Sequence, residues 1–101
     1  MSSEPFERGV VLLHARRLLD QDVIVFTGHA KRRAKERGLV TIDIENIILG
    51  GVQKQAPRNS PKGWTYCIET QWMSVVVAFR CSSDGKPEEL VIVTCWKDKK
   101  P

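Results

Sequence analysis

The spacing of apolar residues changes character about halfway along the chain. From Phe6 to about Leu19 it predicts a helix, with Val11, Ala15, Leu18 and Leu19 on one side and Arg8, Arg16, Arg17 and Asp20 mostly elsewhere. Asp22 to Thr27 is short and β-branched, which predicts a strand or an extended segment. Thr27 is placed to cap a second helix that stops at Gly38. Thr41 is placed to cap a third, with Ile44, Ile47 and Ile48 as its buried face and Gly50-Gly51 as its end. Val52 to Gln55 is a candidate short strand, and Ala56 to Gly63, with two prolines and a glycine, reads as a loop.

The second half is β in character. Trp64 to Arg80 is too long for one strand in so small a domain, so a hairpin break is expected near Thr70-Gln71. Cys81 to Glu88 carries Asp84-Gly85 and predicts a turn, followed by a last strand from Leu90 to Trp96. Helices first and strands after predict an α+β domain, with two to three helices packed on a three- to four-stranded antiparallel sheet. Residues 1–101 read as one domain without repeats, and residues 97–101, with Lys97, Lys99 and Lys100, as a frayed basic tail.

Composition narrows the function classes. A chain of 101 residues with 42% hydrophobic and 28% charged residues suits a globular protein rather than a disordered one. No apolar run approaches the ~18 residues of a membrane span, and the polar, acidic start lacks the pattern of a secretory signal. Cys67, Cys81 and Cys95 form neither a disulfide framework nor a CxxC pair, so free buried thiols, a cytoplasmic location and no metal or cofactor are expected. Gly50-Gly51 follows a helix, the wrong context for a nucleotide cradle. Charge is more informative. The net charge is +4, and residues 29 to 37 alone hold five Lys/Arg against Glu36, also +4. The rest of the chain therefore balances to zero. Such a concentration fits a polyanion, most simply nucleic acid, with a merely solvated helix face as the alternative.

At 100° per residue, His29, Arg33 and Arg37 fall within about 80° of one another, with Glu36 among them. Ala30 and Ala34 lie to one side for close packing, and Lys31 and Lys35 point to the far side as solvent charges. An imidazole moves protons near neutral pH, and a guanidinium holds phosphate bidentately. RNA phosphodiester cleavage needs that combination and no metal. A bland reading stays open, in which Glu36 simply bridges to Arg32 or Arg33. His14, among Leu13, Ala15 and Arg16, reads as surface or half-buried packing. Lys54, Arg58 and Arg80 are further basic candidates. Arg80 shares a strand face with Ser74, Val76 and Ala78, and is either a transition-state cation or an edge charge. Trp64, Tyr66, Trp72 and Trp96 are candidates for base stacking, with core packing as the alternative; Tyr66 could also donate a proton. Thr94 is expected on the same side as Ile92 and Trp96.

The stretch from Phe26 to Leu39 resembles the signature H-A-x-x-R-x-x-x-R-G of a family of small bacterial domains of unknown function. Matching pieces are Val10 to Leu19, Val23 to Phe26, Ile42 to Gly50 and Val91 to Trp96, so the resemblance spans roughly residues 10 to 97. Its members often carry a longer polar turn where this chain has only Glu69 to Trp72. That family is similar to the RelE-like toxin ribonucleases of the barnase–EndoU–colicin–RelE superfamily. The resemblance implies a RelE-like fold and a toxin of a toxin–antitoxin system that cleaves RNA without metal. It makes His29 the acid–base residue and Arg33 and Arg37 the phosphate ligands, with Arg80 and Tyr66 as further catalytic candidates. Lys54, Arg58, Arg32 and Trp64 would bind RNA, and an acidic antitoxin would cover the basic helix. The alternative is a non-catalytic nucleic-acid-binding or protein-interaction module of the same fold. Oligomeric state is left open.

Overall fold

A computed structural model describes residues 4–61 and 63–97. The chain order is α1 (Arg8–Asp20), β1 (Ile24–Phe26), α2 (Gly28–Arg37), α3 (Thr41–Gly50), β2 (Arg58–Ser60), β3 (Gly63–Glu69), β4 (Met73–Cys81) and β5 (Pro87–Lys97). The strands form one five-stranded sheet in the order β1-β5-β4-β3-β2. It is a mixed α+β architecture whose sheet is larger than the three or four antiparallel strands expected. The two extra members are three-residue edge strands. β1 runs parallel to Leu90–Ile92, so the sheet is not purely antiparallel, and β2 pairs antiparallel with the start of β3.

Local sequence accounts for most elements. The β3–β4 hairpin turns after Glu69, where Thr70 Oγ1 accepts from Met73 N–H at 3.2 Å. α2 begins at Thr27, whose Oγ1 accepts from Ala30 N–H at 3.0 Å, and ends at Gly38 in the left-handed region at φ 69°. α3 departs from expectation. Val40, not Thr41, occupies the N-cap, and its N–H donates to the Asp43 carboxylate at 2.9 Å. That bond satisfies the helix start from the first turn inward, so no capping hydroxyl is needed. Val52 to Gln55 makes only a single bridge, Val52 to Glu69, instead of a strand. The Ala56–Gly63 loop contains β2. Lys97 is not frayed but ends β5 opposite Met73, whereas Lys99 and Lys100 lie outside the described residues.

One sheet face carries the core. Tyr66 and Ile68 of β3, Val75 and Val77 of β4, and Leu90, Ile92 and Cys95 of β5 are buried together with Val11, Ala15 and Leu18 of α1 and Ile44, Ile47 and Ile48 of α3. Burying this one-sided apolar set is the main stabilising term. Arginines of α1 fasten the layer: Arg16 Nε donates to Ile48 O at 3.0 Å, and Arg17 donates to Pro87 O at 3.0 Å. Gly51 lets α3 turn back onto the sheet, because a Cβ there would stand 2.4 Å from Ile47 O and 2.9 Å from the Ile68 side chain.

A register shift between Val76 and Val77 pairs Val76 with Thr94 and Val77 with Ile92. The extra residue on β5 reverses the side-chain alternation. Thr94 and Trp96 therefore lie on the face opposite Ile92, not on its side as simple alternation predicts.

Candidate functional site

The sheet face away from α1 and α3 carries mostly small side chains, with Arg80 and Trp96 as the large exceptions: Thr65 and Cys67 of β3, Val76, Ala78 and Arg80 of β4, and Val91, Thr94 and Trp96 of β5. The small side chains leave hollows where larger ones would fill them. One hollow, about 500 Å³, is lined by His29, Ser60, Thr65, Ala78, Arg80 and Val91. A second, about 490 Å³, is lined by Gln55, Arg58, Cys67, Val76, Thr94 and Trp96, and shares Ser60, Thr65 and Val93 with the first. A third, about 440 Å³, lies between His29, Arg33 and Arg37 of α2 and Thr94 and Trp96 of β5. Their shared walls make them one groove, and His29 stands at the junction of the first and third.

α2 reaches this position because β1 is short. β1 pairs with β5 only to Ile92, and α2 then lies along the rest of that strand. Thr27 fixes the transition: its N–H donates to Ile92 O at 3.1 Å and its hydroxyl to Val93 O at 3.0 Å, while the same oxygen caps α2. Ala30 is fully buried, its carbonyl 3.9 Å from Cys95 Sγ, so the helix packs closely and its His29-Arg33-Arg37 ridge overhangs the groove.

The groove is cationic and open. His29 and Arg37 are exposed, and no side chain among the described residues hydrogen-bonds the His29 ring. Arg33 pairs with Glu36 at 3.6 Å, with both side chains about half exposed, and Arg80 pairs with Glu89. The half-exposed Arg33–Glu36 pair is worth only about 0–1 kcal/mol, so an arriving phosphate can redirect that guanidinium, whereas Arg80 meets a Glu89 oxygen that is buried. Arg58 and Arg37 have no ion-pair partner among the described residues.

The sequence-predicted residues thus divide. His29, Arg33, Arg37, Arg80 and Arg58 come together around one groove. Tyr66 does not: it is 1% exposed on the core face, where its hydroxyl accepts from Phe6 N–H at 3.1 Å and donates to Glu4 Oε2 at 2.8 Å. Its place in the core, outside the groove, makes Tyr66 a structural residue, and burial holds its phenol well above the usual tyrosine range. Trp64 packs half-buried against the same core. Lys54 is exposed outside the groove, its carbonyl accepting from Arg8, and Arg32 is exposed on α2 away from the lining. Trp72 sits in the β3–β4 turn, whereas Trp96 lines the groove.

Gln55, Ser60 and Thr65 are groove residues that sequence reasoning passed over; the pairing of β2 with β3 brings Ser60 to the face that carries Thr65, and contacts with Cys67 and Glu69 place Gln55. The thiols are poor nucleophiles. Burial, then the neighbouring Glu69, pushes Cys67 up to about 11; burial and Glu4 do the same to Cys81, and burial alone raises Cys95. Among the described residues no three His, Cys, Asp or Glu side chains gather into a metal-holding cluster, and no helix is long and apolar enough to cross a membrane.

A family model described as "Domain of unknown function (DUF4258)" matches residues 26–97, a stretch that holds every groove-lining side chain named above. No curated protein and no solved structure matches the chain.

Proposed function

The chain belongs to the DUF4258 family of domains of unknown function, and from the chemistry of its groove we propose that it is a toxin-type ribonuclease that cleaves RNA without metal. The observation that carries this reading is His29 at the meeting point of two hollows, with Arg33 and Arg37 on one side and Arg80 on the other. RNA cleavage begins when a base removes the ribose 2′-hydroxyl proton. The 2′-oxygen attacks phosphorus, the P–O5′ bond breaks, and an acid protonates the departing 5′-oxygen, leaving a 2′,3′-cyclic phosphate. The exposed His29 imidazole, hydrogen-bonded by no side chain among the described residues, supplies one of those proton transfers. The three arginines offset the charge that builds on the phosphorane. Arg58 extends the cationic track along the groove, and Trp96 beside Thr94 offers a π-face to a base. As a toxin, the protein would be held inactive by an acidic antitoxin lying over this ridge.

A second reading has its own support. Arg33 and Arg80 already hold carboxylate partners, as cations serving only to grip and position a nucleic acid would tolerate. Side-by-side measurement of RNA affinity and turnover separates the two. For the ribonuclease, His29→Ala keeps RNA binding within about twofold and lowers turnover at least about a hundredfold. Salt-dependent binding with no turnover in either protein would make the domain a binding module.

A further inference from the structure

α2 has a second flank. Between it and α3 lies a cleft of about 560 Å³, distinct from the groove and floored by Phe26, Ala34, Leu39 and Ile44. Val40 stands at its lip, 59% exposed despite being apolar. The only charged residues lining it are Lys31 and Lys35, one helical turn apart, and neither is ion-paired among the described residues. On the arginine ridge of the same helix, by contrast, Arg33 is matched by Glu36 and the facing strand supplies Thr94 beside Trp96.

We infer that this cleft is a docking site for an acidic, amphipathic helical segment of a partner protein. Apolar side chains at i, i+3/i+4 spacing would bury against Phe26, Leu39 and Val40. Carboxylates on the flanking turn would meet Lys31 and Lys35, which supply charge complementarity on one rim only. A nucleic acid fits poorly, because an apolar floor offers nothing to phosphate and two lysines neutralise little of its charge. The inference is independent of the ribonuclease reading. The two flanks of α2 are separate, so a partner seated here leaves His29 open to the groove.

The test uses a synthetic helical peptide about four turns long, with Leu and Phe on one face and Glu on the other, titrated into the full chain while backbone amide shifts are followed by NMR. Saturable binding is expected, with perturbations centred on Phe26, Leu39 and Val40. Replacing the peptide's Glu by Lys, its Leu and Phe by Ser, or the protein's lysines in a Lys31→Glu/Lys35→Glu variant should each weaken binding about tenfold or more. Val40→Ser, at an exposed position, is the second protein variant and should weaken it too, with a wild-type-like amide spectrum showing that the fold is kept. Absence of saturable binding, equal binding of the Lys or Ser peptides, or perturbations confined to His29, Arg33 and Arg37 would overturn the inference. So would a concentration-dependent dimer of the free protein with its shifts at Val40, which would make a second copy the occupant.

Discussion

Gly51 and His14 show how single residues hold the fold in place from outside the groove. Gly51 is buried at a close approach of backbone to backbone, with ordinary φ of −84°, so its requirement is space rather than conformation. Gly51→Ala should destabilise the protein by about 1–3 kcal/mol, whereas Gly50→Ala, which meets nothing within 4 Å, should not; urea unfolding of both variants checks this. His14 packs among aromatic rings, 5.1 Å from Phe6 and 6.1 Å from Phe79, with its Nδ1 buried and without a hydrogen-bond partner among the described residues. Burial first, and the charge of Arg17 second, hold its pKa below the ordinary 6.5. On acidification the unfolded chain therefore takes up this proton before the folded one does. The stability that neutral His14 contributes is complete above about 6.5 and is lost as pH falls from there through the lower folded value. Unfolding midpoints between pH 7.5 and pH 5 should decline in the wild type and decline less in His14→Gln.

At the scale of elements, everything depends on how α2 is hung from the edge of the sheet. Thr27 Oγ1 both accepts from Ala30 N–H and donates to Val93 O, so Thr27→Val loses a cap and a strand tie together. A loss of about 1–2 kcal/mol is expected in chemical denaturation. α2 was readable beforehand because its signals are local: a threonine cap, a 3.6-residue ridge and a terminal glycine that adopts φ 69°. The hairpin at Thr70-Gln71 and the face of Arg80 were readable for the same reason, since strand alternation holds along β4. What failed was non-local. β2 hides in polar, proline-flanked residues because its pairing with Gly63–Thr65 is made by backbone and not by side-chain pattern. Simple alternation puts Thr94 on the wrong face, because the extra β5 residue opposite Val76 and Val77 leaves no mark in composition. Tyr66 looked like a site residue because nothing in its neighbourhood of sequence reveals a hydroxyl partner at Glu4, 62 residues away.

Across the whole molecule, the groove follows from a sheet with two unlike faces. α1 and α3 cover the apolar face, and α1 does so from outside the stretch that matches the family, contributing Val11, Ala15 and Leu18 to the core. The other face stays open because most of its side chains are small, and α2 flanks it with a basic ridge. The net charge of +4 is therefore not spread over the surface but equals the charge of one segment, residues 29–37. Arg33 and Arg37 of that segment line the groove, and Lys31 and Lys35 line the cleft toward α3. The decisive measurement is the fate of labelled total RNA incubated in EDTA with wild type or with His29→Ala, with and without translating ribosomes. Fragments ending in 2′,3′-cyclic phosphate, formed by the wild type and missing with His29→Ala, are expected. RNA left intact under both conditions, or cut equally by the two proteins, would remove His29 and its groove from ribonuclease chemistry.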